Sequence, residues 1–151
     1  PVGTSLLSRL RSLTGSLRSA KEMPEHLVRG ERGEKLAASH LRKNGYKILT
    51  RRYRPKSGRG DIDLVAREKD VLVFVEVKRR RTGTYGGAIE AVDARKRAKL
   101  IQLAAQYLAQ HRIHDRACRF DVVLIQDDSG TTEPVQHIAN AFDVAGDDLR
   151  W

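Results

Sequence analysis

The stretch GDIDLVAREKDVLVFVEVK, Gly60–Lys78, decides how this chain is read. β-branched and apolar residues run on both sides of Lys69 and Asp70, which predicts a β-hairpin with strands Asp61–Glu68 and Val71–Lys78 and a two-residue turn. Such a turn fixes the register. Pairing Glu68 with Val71 sets Asp63 opposite Glu76 and Asp61 opposite Lys78, and the two-residue side-chain period puts all four on one face. Directly opposed like charges destabilise a sheet by about 0.2–1 kcal/mol when exposed, and by more when desolvated. Fold stability gives no reason to place two carboxylates there, so something positive is expected between them. A hard divalent cation fits best, because two carboxylates plus substrate phosphate oxygens are the usual way of holding Mg²⁺.

Outward from the hairpin, the whole chain has 151 residues, enough for one domain with a real core. Its hydrophobic fraction of 40% is ordinary, but its formal charge of +10 is not. Nucleic acid is the first anionic partner to consider, since each neutralised phosphate releases counterions and drives sequence-independent binding. An anionic membrane surface is the second, and an excess of Lys and Arg that merely keeps the protein soluble is the bland alternative. The single cysteine, Cys118, excludes an intramolecular disulfide and a thiolate zinc cluster, and points to a reducing compartment such as the cytoplasm. Beside a predicted strand it reads as a buried structural thiol. No stretch approaches the roughly 18 consecutive apolar residues of a membrane span, so no integral membrane association is expected.

Residues 1–24 are rich in Ser, Leu and Arg and read as a basic extension, either a tail or an amphipathic helix carrying Leu6, Leu10, Leu13 and Leu17. Residues 25–151 read as the domain proper. A helix from Glu25 or Glu31 to Asn44 is predicted, ended by Gly45 and buried along Leu27, Leu36, Ala37 and Leu41. Tyr46–Tyr53 is a predicted strand, and Arg54–Gly60 (RPKSGRG) a loop. After the hairpin, Arg79–Gly87 (RRRTGTYGG) is basic and glycine-containing, and leads into a long helix predicted from Ala88 to His111. Leu100, Leu103, Ala104, Tyr107 and Leu108 mark its buried face. Arg119–Gln126 (RFDVVLIQ) reads as a central strand, Asp127–Gly130 as a turn, and a last short strand or extended segment carries His137, Ile138 and Phe142. Helices flanking a β-sheet, in an α/β or α+β arrangement, follow from that order.

Glu34 on the first helix, Asp63 in the hairpin and the Glu76-X-Lys78 run together resemble the PD-(D/E)XK nuclease arrangement. The blocks GERGEKLAASHLRKNGYKIL, GRGDIDLVA, FVEVKRR, AVDARKRAKL, RFDVVLI and HIANAF, in that order over Gly30–Phe142, resemble the YraN family of uncharacterised bacterial proteins. The resemblance implies an α/β, restriction-endonuclease-like mixed β-sheet flanked by α-helices, similar to archaeal Holliday-junction resolvases, with presumed nuclease activity. Carried over by motif, it implies Asp63 and Glu76 as ligands of Mg²⁺ or Mn²⁺, Glu34 as a supporting acid, and Lys78 as the cation beside the attacking water. The departure is Asp61, where the family usually has Glu in Gly-Glu-Ile-Asp; it shortens a neighbouring side chain and leaves Asp63 in place.

The chemistry explains these residue types. Phosphodiester hydrolysis needs a hydroxide at neutral pH and a counterweight for charge developing on phosphorus. Lys78, two residues beyond Glu76 and on its face, can orient water and offset that charge. The competing reading pairs Asp61 with Lys78 across the strands and leaves Glu76 solvated. Glu34 taken alone reads as solvated, although Gly30 and Gly33 would let another backbone or a phosphate approach. Asp121 reads as a structural acceptor, with a site role as its alternative.

Arg51, Arg52, Arg54, Lys56 and Arg59 precede the carboxylates, and Arg79, Arg80 and Arg81 follow them, as a phosphate-tracking groove requires. Tyr53 and Tyr85 are candidates for stacking on bases or for packing. Arg95, Lys96, Arg97 and Lys99 either extend this footprint or form a solvated face. His111 and His114 fit a helix terminus better than a metal site.

Three functions remain on the sequence: a metal-dependent endonuclease acting on DNA, with branched or structured DNA and a homodimer among the options; a nucleic-acid-binding module of the same fold with little or no catalysis; and a membrane-associated protein relying on its basic extension. The first uses every member of the constellation.

Overall fold

The structure, a computed structural model, describes residues 23–56, 58–81, 92–127 and 135–144, without the side chains of Arg81 and Asp127. The extension over residues 1–22, Tyr85, the first turn of the predicted long helix and most of the DDSG turn lie outside the described residues.

The order is α1 (Glu25–Lys43), β1 (Lys47–Tyr53), β2 (Ile62–Glu68), β3 (Val71–Arg81), α2 (Ala94–Gln110), β4 (Cys118–Asp127) and β5 (Val135–Phe142). The five strands form one sheet in sequential order. Among the described strands only β3 and β4 run parallel, and the crossover that a parallel pair requires contains α2. This is the mixed α/β sheet flanked by helices that the sequence predicts.

The helices cover opposite faces. Leu100, Leu103, Ala104, Tyr107 and Leu108 of α2 pack on Val65, Phe74, Phe120 and Val122. Ala37, Ala38 and Leu41 of α1 pack on Leu64, Val73, Val75, Val123 and Ile125. β3 and β4, covered on both sides, therefore read as apolar runs rather than as alternating strands. On β1, an edge strand, exposed and half-buried residues alternate, and its Lys and Arg side chains discourage pairing with another sheet.

The helix ends follow from local chemistry. Gly45 (φ +88°) donates to the Arg42 carbonyl and Tyr46 to the Leu41 carbonyl, the Schellman pattern that a left-handed glycine permits. At α2 the expected start is corrected: the helix begins at Ala94, because the Asp93 side chain accepts the Lys96 N–H at 2.8 Å and caps it there. Leu27 is also corrected, being 43% exposed and off the buried face of α1.

The hairpin register is as predicted, with Glu68 opposite Val71 and Leu64 opposite Val75. Beyond Leu64 the β2–β3 pairing stops, and β2 begins at Ile62 rather than Asp61. Strict alternation also fails here, since Ile62 and Val65 both belong to the α2-side core while Leu64 belongs to the α1 side. On β1, Arg52 falls between the paired positions Arg51↔Leu64 and Tyr53↔Ile62, opposite Asp63, and takes the left-handed region at φ +50°. Local strain of this kind costs about 1–3 kcal/mol and persists only where surrounding contacts impose it.

Candidate functional site

The irregularity places three acids from three elements around the end of the hairpin. Asp63, half-buried, turns its Oδ2 to accept the Val77 N–H at 2.7 Å, a donor that continued pairing would have given to β2. Burial raises its pKa to about 7; the Glu76 charge adds to the rise, the Val77 N–H opposes it, and Glu34 and Asp61 contribute further. The expected proximity of Asp63 and Glu76 is thus felt as electrostatic conflict.

Glu76 is 4% exposed. One oxygen, Oε1, meets two ammonium groups, Lys78 Nζ at 3.1 Å and Lys96 Nζ at 3.3 Å. The other, Oε2, is buried with no hydrogen-bond partner among the described residues. A buried acceptor left unpaired costs about 1–3 kcal/mol, more if charged, so this atom calls for a cation or a bound donor. In the sequence, Lys96 reads only as part of the footprint or of a solvated face. Its signal is the capped first turn of α2, which aims it at the hairpin, but no sequence spacing connects the two.

Glu34, predicted as the supporting acid, is buried, and both its oxygens accept from Arg52 Nε at 2.9 and 2.8 Å. Among the described residues, no group of three His, Cys, Asp or Glu side chains is arranged to hold a metal ion. Two carboxylates remain for one ion, Asp63 and Glu76, and the unpaired Oε2 with the raised Asp63 pKa fits a divalent cation completed by water or phosphate oxygens.

Other expectations divide. The Asp61–Lys78 pair of the competing reading is not formed, since Lys78 turns to Glu76 and Asp61 to Arg54 at 3.4 Å. Arg52 and Arg54 are thereby engaged with carboxylates. Arg79 Nη1 donates to the Arg29 carbonyl, and Gly33 is buried with Arg79 carbons 3.5 Å from where a Cβ would stand, so Gly33 opens no approach for a phosphate. Arg51, Lys56 and Arg59 are exposed, Arg80 is half-buried, and the Arg81 side chain lies outside the described residues. Tyr53 is buried edge-on to Tyr107, its hydroxyl donating to Gln110, and is a packing residue.

Asp121 is structural. At 1% exposure it accepts from Arg119 at 3.0 and 3.1 Å and from the Asn140 N–H at 2.9 Å, and lies 2.8 Å from His137 Nε2. Burial alone would raise its pKa, but the hydrogen bonds from His137, Arg119 and Asn140 hold it below the usual range. Burial pushes the Cys118 thiol up to about 11, as suits an inert side chain. His111 meets the Tyr107 carbonyl and stacks on its ring.

Sheet, flanking helices and paired acids define an α/β protein consistent with the restriction-endonuclease-like fold. Residues 33–125 match the uncharacterised protein family UPF0102, the YraN family to which the six blocks point, and the chain belongs to it. The UPF0102 protein of Pelobacter propionicus is 40% identical over 129 residues, covering 84% of this chain and 91% of that one. The UPF0102 protein of Pseudomonas aeruginosa is 44% identical over 117 residues, covering 76% and 92%. Among solved structures, Pyrococcus furiosus SfsA in complex with Ca²⁺ is 12% identical with a TM-score of 0.32, covering 79% of this chain and 65% of that one, and a likeness so slight carries no argument. No helix among the described residues is long and apolar enough to cross a membrane.

Proposed function

We propose that the protein is a metal-dependent endonuclease that hydrolyses phosphodiester bonds in DNA. The observation that carries this reading is the buried Glu76, whose Oε2 has no partner among the described residues while its charge raises the proton affinity of Asp63. Asp63 and Glu76 would hold Mg²⁺ or Mn²⁺, which when bound lowers the pKa of water and offsets phosphate charge. Lys78, 3.1 Å from Glu76 Oε1, would orient the attacking water, and Lys96, through the oxygen it shares with Lys78, would position the Glu76 carboxylate. Glu34 fixes Arg52 at the rim.

The second reading, a nucleic-acid-binding module with little or no catalysis, draws on the Arg52 clamp, which leaves Glu34 unavailable as a third ligand. One assay separates them. Linear, flap and four-way DNA substrates are incubated with the purified protein and Mg²⁺ or Mn²⁺. Cleavage that disappears in Asp63→Ala and Glu76→Ala, with DNA binding retained, supports the enzyme; binding of all three substrates without cleavage supports the module.

A further inference from the structure

A groove between Gly60 and helix α2 joins Arg59, from the basic cluster before the hairpin, to cations on the face of α2. It encloses about 630 Å³ and is lined by Arg59, Gly60, Arg95, Ala98, Lys99 and Gln102. We propose that this groove holds the phosphodiester backbone of a DNA strand passing the Asp63–Glu76 site. Its direction of run rests on the nuclease reading above; its capacity to bind a polyanion does not.

Four observations carry it. Both walls adjoin the candidate site: Gly60 leads through Asp61 into Ile62 and Asp63, and Arg95 precedes Lys96, whose ammonium lies 3.3 Å from Glu76. Its three cations, Arg59, Arg95 and Lys99, make no ion pair or side-chain hydrogen bond among the described residues, whereas Arg52 and Arg54 are engaged with Glu34 and Asp61. Among the described residues, no carboxylate lines the groove.

The third and fourth are geometric. Arg95, Lys99 and Gln102 follow the i, i+4, i+7 spacing of one helical stripe, which extends about 10 Å along the axis at about 1.5 Å per residue and gives a chain of phosphates successive partners. Gly60 and Ala98 contribute almost no side chain. A Cβ at Gly60 would stand 3.1 Å from Lys99 Cε and 3.5 Å from Leu103 Cδ1, and its φ of +100° favours glycine, so the wall approaches the Lys99 stem only because that residue is glycine.

The test is equilibrium binding of the full chain to fluorescein-labelled single-stranded and duplex DNA in EDTA, followed by anisotropy across a salt series. Arg95→Ala/Lys99→Ala should lower affinity at least about 10-fold at low salt and reduce the slope of log K against log salt by about 1.4–1.8, the loss of two phosphate contacts. Alanine suits a helix at least as well as Arg or Lys, so α2 persists. Arg42→Ala/Lys43→Ala, which removes the same charge from the last turn of α1, should leave the slope near that of the wild type.

A wild-type slope in the groove variant, or an equal loss in the α1 control, overturns the proposal. So does a chain that binds phosphatidylserine vesicles through these residues and binds no DNA. Groove-dependent binding without Mg²⁺-dependent cleavage sustains the groove and defeats the nuclease reading. Cleavage by the groove variant at wild-type kcat/KM does the reverse.

Discussion

The Asp63 carboxylate accepts the Val77 N–H at 2.7 Å, so a side chain takes up a backbone donor where the pairing of β2 with β3 ends. That bond holds the acid beside Glu76 and keeps it partly shielded from water. The conflict between the two carboxylates is therefore built into the hairpin.

Asp63 makes stability depend on pH. Its folded pKa, about 7, lies above the ordinary 3.8, so the folded chain binds the extra proton. Stability from this group is full below about pH 4 and is lost as pH rises toward and through 7. Asp63→Asn should unfold at higher urea than wild type at pH 8 and show little advantage at pH 4. Mg²⁺ should raise the Tm of the wild type at pH 8 and leave Asp63→Asn unmoved; equal metal responses would dissociate Asp63 from the ion.

The two ammonium groups on Glu76 Oε1 are expected to differ. Lys78→Ala should lower single-turnover cleavage by about 10²-fold or more with little loss of DNA affinity, as removal of a group acting on the reacting water does. Lys96→Ala should cost less, and Lys96→Arg should restore much of it by returning a cation to Glu76. A fall in affinity with unchanged turnover for Lys78→Ala would make that residue a phosphate contact.

Arg52→Ala keeps the left-handed backbone requirement but removes the clamp on Glu34. Loss of the charged hydrogen bonds should cost about 1.5–3 kcal/mol in urea unfolding. With Glu34 no longer neutralised, the Asp63 titration followed by NMR should move upward. A downward or absent shift would show that the Glu34 charge does not reach Asp63.

Asp121→Asn leaves Arg119 beside a neutral amide in a closed network. Breaking such a buried pair costs about 3–5 kcal/mol, and cleavage per folded molecule should not change. Because its pKa is held low, the wild-type contribution is present above about pH 4 and fades as pH falls through the lower folded value. Urea unfolding from pH 7 down to pH 3 should show the two proteins converging.

By itself the sequence determined the hairpin register, the sequential order of elements, the faces of Ala37, Leu41, Leu100 and Leu108, and the candidacy of Asp63, Glu76 and Lys78. Those follow from periodicity, turn length and motif, which are local properties of the chain. Only the tertiary structure decided that Lys96 shares the Glu76 oxygen, that Arg52 occupies Glu34, and that Arg59, Arg95 and Lys99 line one groove. Each joins elements far apart in sequence, and their meeting depends on how α1 and α2 pack against opposite faces of the sheet and on the break in alternation at Arg52 and Asp63, where side-chain and backbone partners compete for the same sites.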